Sequence, residues 1–341
     1  AIVSVVDYTN TFQTNALTVA PNGSEKIGGI AAPNNLSTEG QSVTFVYVDG
    51  TEGWKNIQDS TSNVTGNPNL IATGGTITTC GNCKIHTFTG PGSFVVSSIS
   101  QTAPENIVSY MVVAGGGGQR GSGHYNGGGG AGGFREFKGP AQSYGVSPLN
   151  GSTPITVTAT SFPITVGAGG GANGSDSIFS TITSTGGGGG GSPGNGPGNT
   201  GGSGGGGSPF TPAGVQPGGA GNTPPVSPSQ GNPGGIGNVS SPLGAAASGG
   251  GGGAGAVGGN SNTSNPITAG TGGAGVATSI SGSSVTRAGG GGGAAYAGTG
   301  GPGGSGGGGT GGNYPNSPAS SSGVVNTGGG GGGDAGFTSP T

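Results

Sequence analysis

The sequence predicts a mainly β and irregular fold, with a short-strand N-terminal module followed by a glycine-rich lattice of polyglycine, polyproline-II-like helical rods carrying surface loops. Three observations lead there. Eighty-one of the 93 glycines lie in residues 111–341, without the strict every-third-residue spacing of collagen. Hydrophobic residues make up 28% of the chain and charged residues 5%, both far below ordinary globular usage. A conventional side-chain core is therefore expected only from the first third. The remaining apolar residues gather in short β-branched runs bounded by turn residues.

Residues 1–75 read as a β-rich module, 76–114 as a β transition segment and 115–341 as the glycine-rich domain. The opening AIVSVV lacks a basic flank and is too short to be a whole secretion signal. The chain begins without Met, which implies processing, truncation or an incomplete chain. Leu17 and Val19 make a short extended segment before Pro21-Asn22-Gly23. Residues 42–48 (SVTFVYV) are β-branched and aromatic and stop at the turn signal Asp49-Gly50. Val43, Phe45 and Tyr47 share one face of that strand, with Thr44, Val46 and Val48 on the other. Both faces carry apolar groups, so cover is expected on two sides, with another subunit among the options. Ile85, Thr87 and Phe88 lead into the turn 89–92, and 93–96 resumes extended structure. The strongest apolar run, 107–113, ends abruptly at Ala114-Gly115 and delivers the chain into the glycine region. Phe45, Trp54, Phe94 and Tyr110 are assigned to core or subunit-interface packing, with a ligand platform as the alternative.

Glycine blocks then recur at 115–118, 127–130, 186–191, 204–207, 249–253, 289–293, 306–309 and 328–333. Glycine inside a helix costs about 0.8–1 kcal/mol relative to alanine, and in a sheet it leaves nothing to pack. Composition alone would also permit flexible linkers. The ordered alternative uses rods with three residues per turn and a rise of about 3.1 Å per residue, which have no internal hydrogen bonds and so offer every amide to a neighbour. Ordering each residue costs about 1–2 kcal/mol, with glycine at the upper end. Only many mutually bonded rods could offset that loss. Residues 155–158, 162–166, 178–182, 276–280 and 285–286 are expected to be supporting strands. Loops between rods tolerate changes in length and place Tyr125, Phe210, Tyr296, Tyr314 and Phe337 near surface tips. There they serve either as caps on small apolar clusters or as contacts to a carbohydrate or protein receptor.

Several function classes fall away. A net charge of -3 gives no electrostatic grip on nucleic acid or anionic membranes, and no apolar stretch of about 20 residues exists to span a bilayer. Cys80-Gly-Asn-Cys83 has the spacing of half a zinc site or a redox pair. His86 and His124 are the only histidines available to complete a zinc set, and no βαβ context surrounds the pair. A local disulfide or two free thiols are the remaining readings. Asp7, Asp49, Glu52 and Asp59 show no spacing that pairs two carboxylates, and the histidines lack a nucleophile. No phosphate-binding GxxxxGK[ST] element is present. Neither catalysis, a cofactor nor a metal is expected.

Residues 41–54 (QSVTFVYVDGTEGW), Gly74-Gly75-Thr76-Ile77 through His86-Thr87-Phe88-Thr89-Gly90, 108–118 (VSYMVVAGGGG) and 127–135 (GGGGAGGFR) carry a resemblance. In these stretches the chain resembles glycine-rich tail-fibre or adhesin proteins of bacteriophages, especially those of marine phages. The resemblance implies a virion-surface tail fibre whose glycine-rich, adhesin-like domain displays variable host-contacting loops. Its implied partners are other fibre subunits, in a homo-oligomer that includes a trimer among its options, and a bacterial surface glycan or protein. An extracellular or virion structural filament, assembled through the glycine-rich domain, is the alternative expectation.

Overall fold

The structure, a computed structural model, describes residues 1–59, 70–81, 83–100, 102–121, 124–193, 196–209, 214–239, 245–264, 266–315 and 319–336. It divides into two compact units, Ala1–Asn69 and Leu70–Thr341. Segment 76–114 accordingly lies in the same unit as the glycine blocks.

In the first unit, Ser42–Asp49 is the middle strand of an antiparallel sheet, between Ile2–Val6 and Gly53–Asp59. Alternation sends Val43 and Phe45 inward, where they are buried with Leu36 against Val5, Phe12, Val19, Ile27 and Trp54. Trp54 meets Tyr47 edge-on at 5.6 Å and donates its indole N–H to Glu25 Oε2 at 2.9 Å. The other face is open: Ile2, Val6 and Val48 are 70%, 60% and 55% exposed. Asp7 closes the loop after the first strand. Its carboxylate accepts the backbone N–H groups of Thr11, Phe12 and Gly40 at 2.9, 2.9 and 3.1 Å. Burial alone would raise its pKa, but these N–H donors together hold it below the ordinary 3.8.

The largest apolar cluster of the second unit packs against one sheet. A five-stranded antiparallel sheet runs Ile182–Ser184, Ser177–Phe179, Ser161–Thr165, Gly92–Ser98, Ile71–Thr73. Phe94, Val96, Tyr110, Val112, Ile155, Val157, Phe179 and Ile182 form its apolar cluster. This corrects the expectation that a core comes only from the first third, since half of these residues lie beyond it. The run 178–182 is not one strand: Ser180 takes φ 53° and turns the chain between two short strands. The run 107–113 likewise divides into Ile107–Val108, paired with Ile155–Thr156, and Tyr110–Val113, paired with Phe134–Phe137. Val276–Thr278 pairs with Val285–Arg287, where supporting strands were expected.

Between Val113 and Phe134 the described residues form neither helix nor strand, yet residues 126–136 are all buried. Their amides are bonded to distant backbone in steps of three. Gly127, Gly130 and Gly133 donate to the carbonyls of Gly191, Gly188 and Thr185, an antiparallel neighbour. Gly128 and Ala131 donate to Gly249 and Gly252, a parallel one, while Gly129 and Gly132 donate to Gly331 and Gly328. In return, the carbonyls of Gly128, Gly129 and Gly130 accept from Gly206, Gly291 and Gly117. Six glycine segments thus surround this one. A Cβ on Gly128 would overlap the carbonyl oxygen of Gly291, and one on Gly291 that of Gly331.

Two outcomes are expected. Gly128→Ala and Gly291→Ala should each lower the melting temperature of the second unit. Overpacking costs about 1–3 kcal/mol, and each bond lost as the segments part removes about 1 kcal/mol more. Gly171→Ala, which meets no atom within 4 Å, should stay within about 0.5 kcal/mol of wild type. For Asp7, the unfolded carboxyl binds its proton more tightly than the native one. Its stabilisation is therefore full above pH 3.8 and is lost as pH falls through the lower native value. Acid unfolding of the full chain, followed by Trp54 fluorescence, should lose part of that steepness in Asp7→Asn.

Candidate functional site

The direction of each bonded segment decides which loops meet. Segment 249–252 runs parallel to 128–131, so Ser248 arrives beside Tyr125, and its hydroxyl donates to the Tyr125 carbonyl at 2.6 Å. Ser208, which follows block 204–207, donates to the same carbonyl at 2.7 Å. Segment 328–331 runs antiparallel, so its exit brings Asp334 O to the Asn126 N–H at 3.0 Å and Ala335 O to within 3.4 Å of His124 Nδ1. Held by both hydroxyls, Tyr125 takes φ 62°, a conformation that side chains other than glycine rarely adopt.

Tyr296 and Tyr314 reach the same place on two short strands. Ala295–Tyr296 lies parallel to Asn313–Tyr314, with Tyr296 directly opposite Tyr314. That register stacks the two rings at 5.5 Å and 16°. Tyr125 meets Tyr296 edge-on at 5.5 Å, and His124 lies 5.7 Å from Tyr125 and 6.4 Å from Tyr314. The three tyrosines are half-buried and His124 is exposed. The arrangement is an aromatic patch with polar edges, suited to stacking on a sugar face or an apolar side chain. Burial first, then the neighbouring Tyr296 and Tyr314, raises the Tyr125 pKa above 10.0. Tyr125 therefore stays a neutral hydroxyl at physiological pH.

Of the aromatic residues expected at loop tips, Tyr125, Tyr296 and Tyr314 are brought together, whereas Phe210 and Phe337 lie outside the described residues. His124 completes the patch, though its sequence context suggested only a metal ligand or a base. Its one signal was its place beside Tyr125 at the entry to block 127–130.

The other candidate groups serve locally. Cys80 and Cys83 face each other as the last pair of the hairpin Thr76–Cys80/Cys83–Thr87, both as free thiols, and Cys83 Sγ donates to Gln142 Oε1 at 2.8 Å. His86 packs edge-on against Phe94 at 5.0 Å, its Nδ1 2.8 Å from Gly74 O. Among the described residues, no three His, Cys, Asp or Glu side chains converge in a way that could hold a metal ion. Asp49 accepts the N–H groups of Thr51 and Glu52, Glu52 pairs with Lys55 at 2.6 Å, and Asp59 accepts from Gln41 and Asn56. No helix among the described residues is long and apolar enough to cross a membrane.

Titration of Tyr125, followed by ring NMR signals, is expected to show a midpoint above 10.0. Tyr296→Phe with Tyr314→Phe should lower that midpoint while leaving the part due to burial. An unchanged midpoint would mean that the Tyr296 and Tyr314 hydroxyls do not act on that of Tyr125.

Comparison with known proteins bears on the second unit. Residues 89–341 match the family described as Glycine-rich domain. No curated protein and no solved structure matches the chain. With about three quarters of its length matched, the chain belongs to this glycine-rich domain family.

Proposed function

We propose that the chain is a non-catalytic structural subunit of a virion-surface or extracellular filamentous assembly, with its second unit serving as a stiff scaffold of polyproline-II-like rods. One observation carries this reading: segment 127–130 is bonded through its backbone to six other glycine segments, with donors to any one neighbour three residues apart. Three residues per turn is the period of a polyproline-II helix, and a rod with no internal hydrogen bonds can direct its amides to neighbours all round. The first unit is then the means of attachment. Its open sheet face, carrying Ile2, Val6 and Val48, fits a second copy of the chain or another fibre subunit.

A second reading has its own observation. The patch of His124, Tyr125, Tyr296 and Tyr314 lies where loops between bonded segments converge. Aromatic anchors of this kind favour host attachment, in which a bacteriophage tail fibre displays its loops to a bacterial surface glycan or protein. Several copies in one fibre would strengthen such binding through multivalency.

Amide exchange of the full chain tests the scaffold. Residues 127–130 are expected to be among the slowest to exchange, and free opening on the millisecond scale would refute it. Sedimentation and electron microscopy test the assembly: the triple substitution Ile2→Thr, Val6→Thr, Val48→Thr should reduce it at least tenfold. Polymers that grow without binding bacteria would favour the filament. Binding to bacterial cells that disappears in Tyr296→Ala with Tyr314→Ala would favour attachment.

A further inference from the structure

Beside strand Phe134–Phe137 the second unit has a cleft of about 210 Å³, lined in part by Arg135, Thr153, Thr181, Thr183, Pro224 and Gln230. Arg135 is 7% exposed. Its one hydrogen bond among the described residues runs from Nε to Ser152 Oγ at 3.0 Å. No carboxylate neutralises it, since the one ion pair among the described residues is Lys55–Glu52. Its chain neighbour Glu136 projects from the opposite face of the strand. There that carboxylate is engaged by the Ser147 N–H and the Thr278 hydroxyl. Tyr110 donates its hydroxyl to Thr153 O at 2.6 Å and supplies no negative charge. A guanidinium does not relieve its burial by losing a proton, so a buried arginine without a counter-ion calls for an anion.

The rest of the cleft limits what that anion is. Gln230 forms a fixed wall: its Oε1 accepts the Thr185 N–H at 2.8 Å, and its Nε2 donates to Pro224 O at 3.1 Å. Thr153, Thr181 and Thr183 are exposed at the rim and engage no protein partner among the described residues through their hydroxyls. One guanidinium with no second cation among the lining residues matches a single negative charge, and its flat fork matches a carboxylate. Free hydroxyls match ligand hydroxyls. The volume is below the roughly 300 Å³ at which sites for drug-sized molecules begin. We propose that this cleft binds the carboxylate of a small polyhydroxylated ligand, an acidic sugar residue, with the Arg135 guanidinium as its anchor. The site is separate from the aromatic patch and does not rest on the scaffold reading.

The test is a titration of the full chain with D-glucuronate, read by saturation-transfer NMR and by chemical shifts of Thr183 and Gln230. Saturable binding is expected, at least tenfold tighter than that of acetate, with no response to D-glucose. Arg135→Met should abolish it. Thr183→Val, at an exposed position, should weaken it several-fold with the fold intact, so the proposal stays testable if the arginine variant does not fold. Absence of saturable binding would overturn it, as would equal binding of glucose or acetate, or a folded Arg135→Met that binds like wild type.

Discussion

The second unit depends on one interaction, the backbone amide-to-carbonyl bond between glycine segments far apart in the chain. It forms at this density because nothing projects from the α-carbon. A Cβ on Gly128 would occupy the place of the Gly291 carbonyl oxygen, and a net bond is worth only about 1 kcal/mol. Ordering a glycine costs more than that one bond returns. Segment 127–130 escapes the deficit because donors and acceptors both engage neighbours, on every side. The same satisfaction explains how a buried centre tolerates so little apolar surface: buried peptide groups do little harm once paired.

Side chains act where the glycine segments end. Ala131, Phe134, Ala254, Val276 and Ala288 form a small apolar cluster next to the central segment, and Phe94, Tyr110 and Phe179 close the sheet flank with edge-on ring contacts at 6.1 and 6.0 Å. The hydroxyls of Ser208 and Ser248 pin the Tyr125 carbonyl in the loop that leads into the central segment. Bonding direction and side-chain anchoring thus fix the aromatic patch together. Neither alone would place three tyrosines from such different parts of the chain around one point.

Much of this was legible in the sequence, and the omissions have physical causes. The blocks at 115–118, 127–130, 186–191, 204–207, 249–253, 289–293 and 328–333 were visible as segments able to approach closely, and the structure bonds six of them to the remaining one. Which block is central was not visible, because the blocks are chemically alike and their register is set by distant partners. Ser42–Asp49 and its buried Val43 and Phe45 were legible from alternation. The turn at Ser180 was not, because a serine at positive φ leaves no mark in an otherwise β-branched run. Tyr125, Tyr296 and Tyr314 could be named one by one as loop residues. Their meeting depends on parallel and antiparallel senses that composition does not encode. Arg135 gave no signal at all, since its lack of a counter-ion is a property of its surroundings.

The central segment enters the chain early, whereas its partners are spread as far as Gly331, which bonds back to Gly129. A ribosome must therefore release nearly all of the second unit before the middle can close. Contacts with such wide separation place a domain at the slow end of folding rates. Until then the tract is exposed and solvated, but with few apolar groups and few charges it offers little for chaperones or for misassembly to seize. Late closure around an already synthesised thread sets the order of maturation, with the flanking sheet, whose strands lie closer together, able to form first.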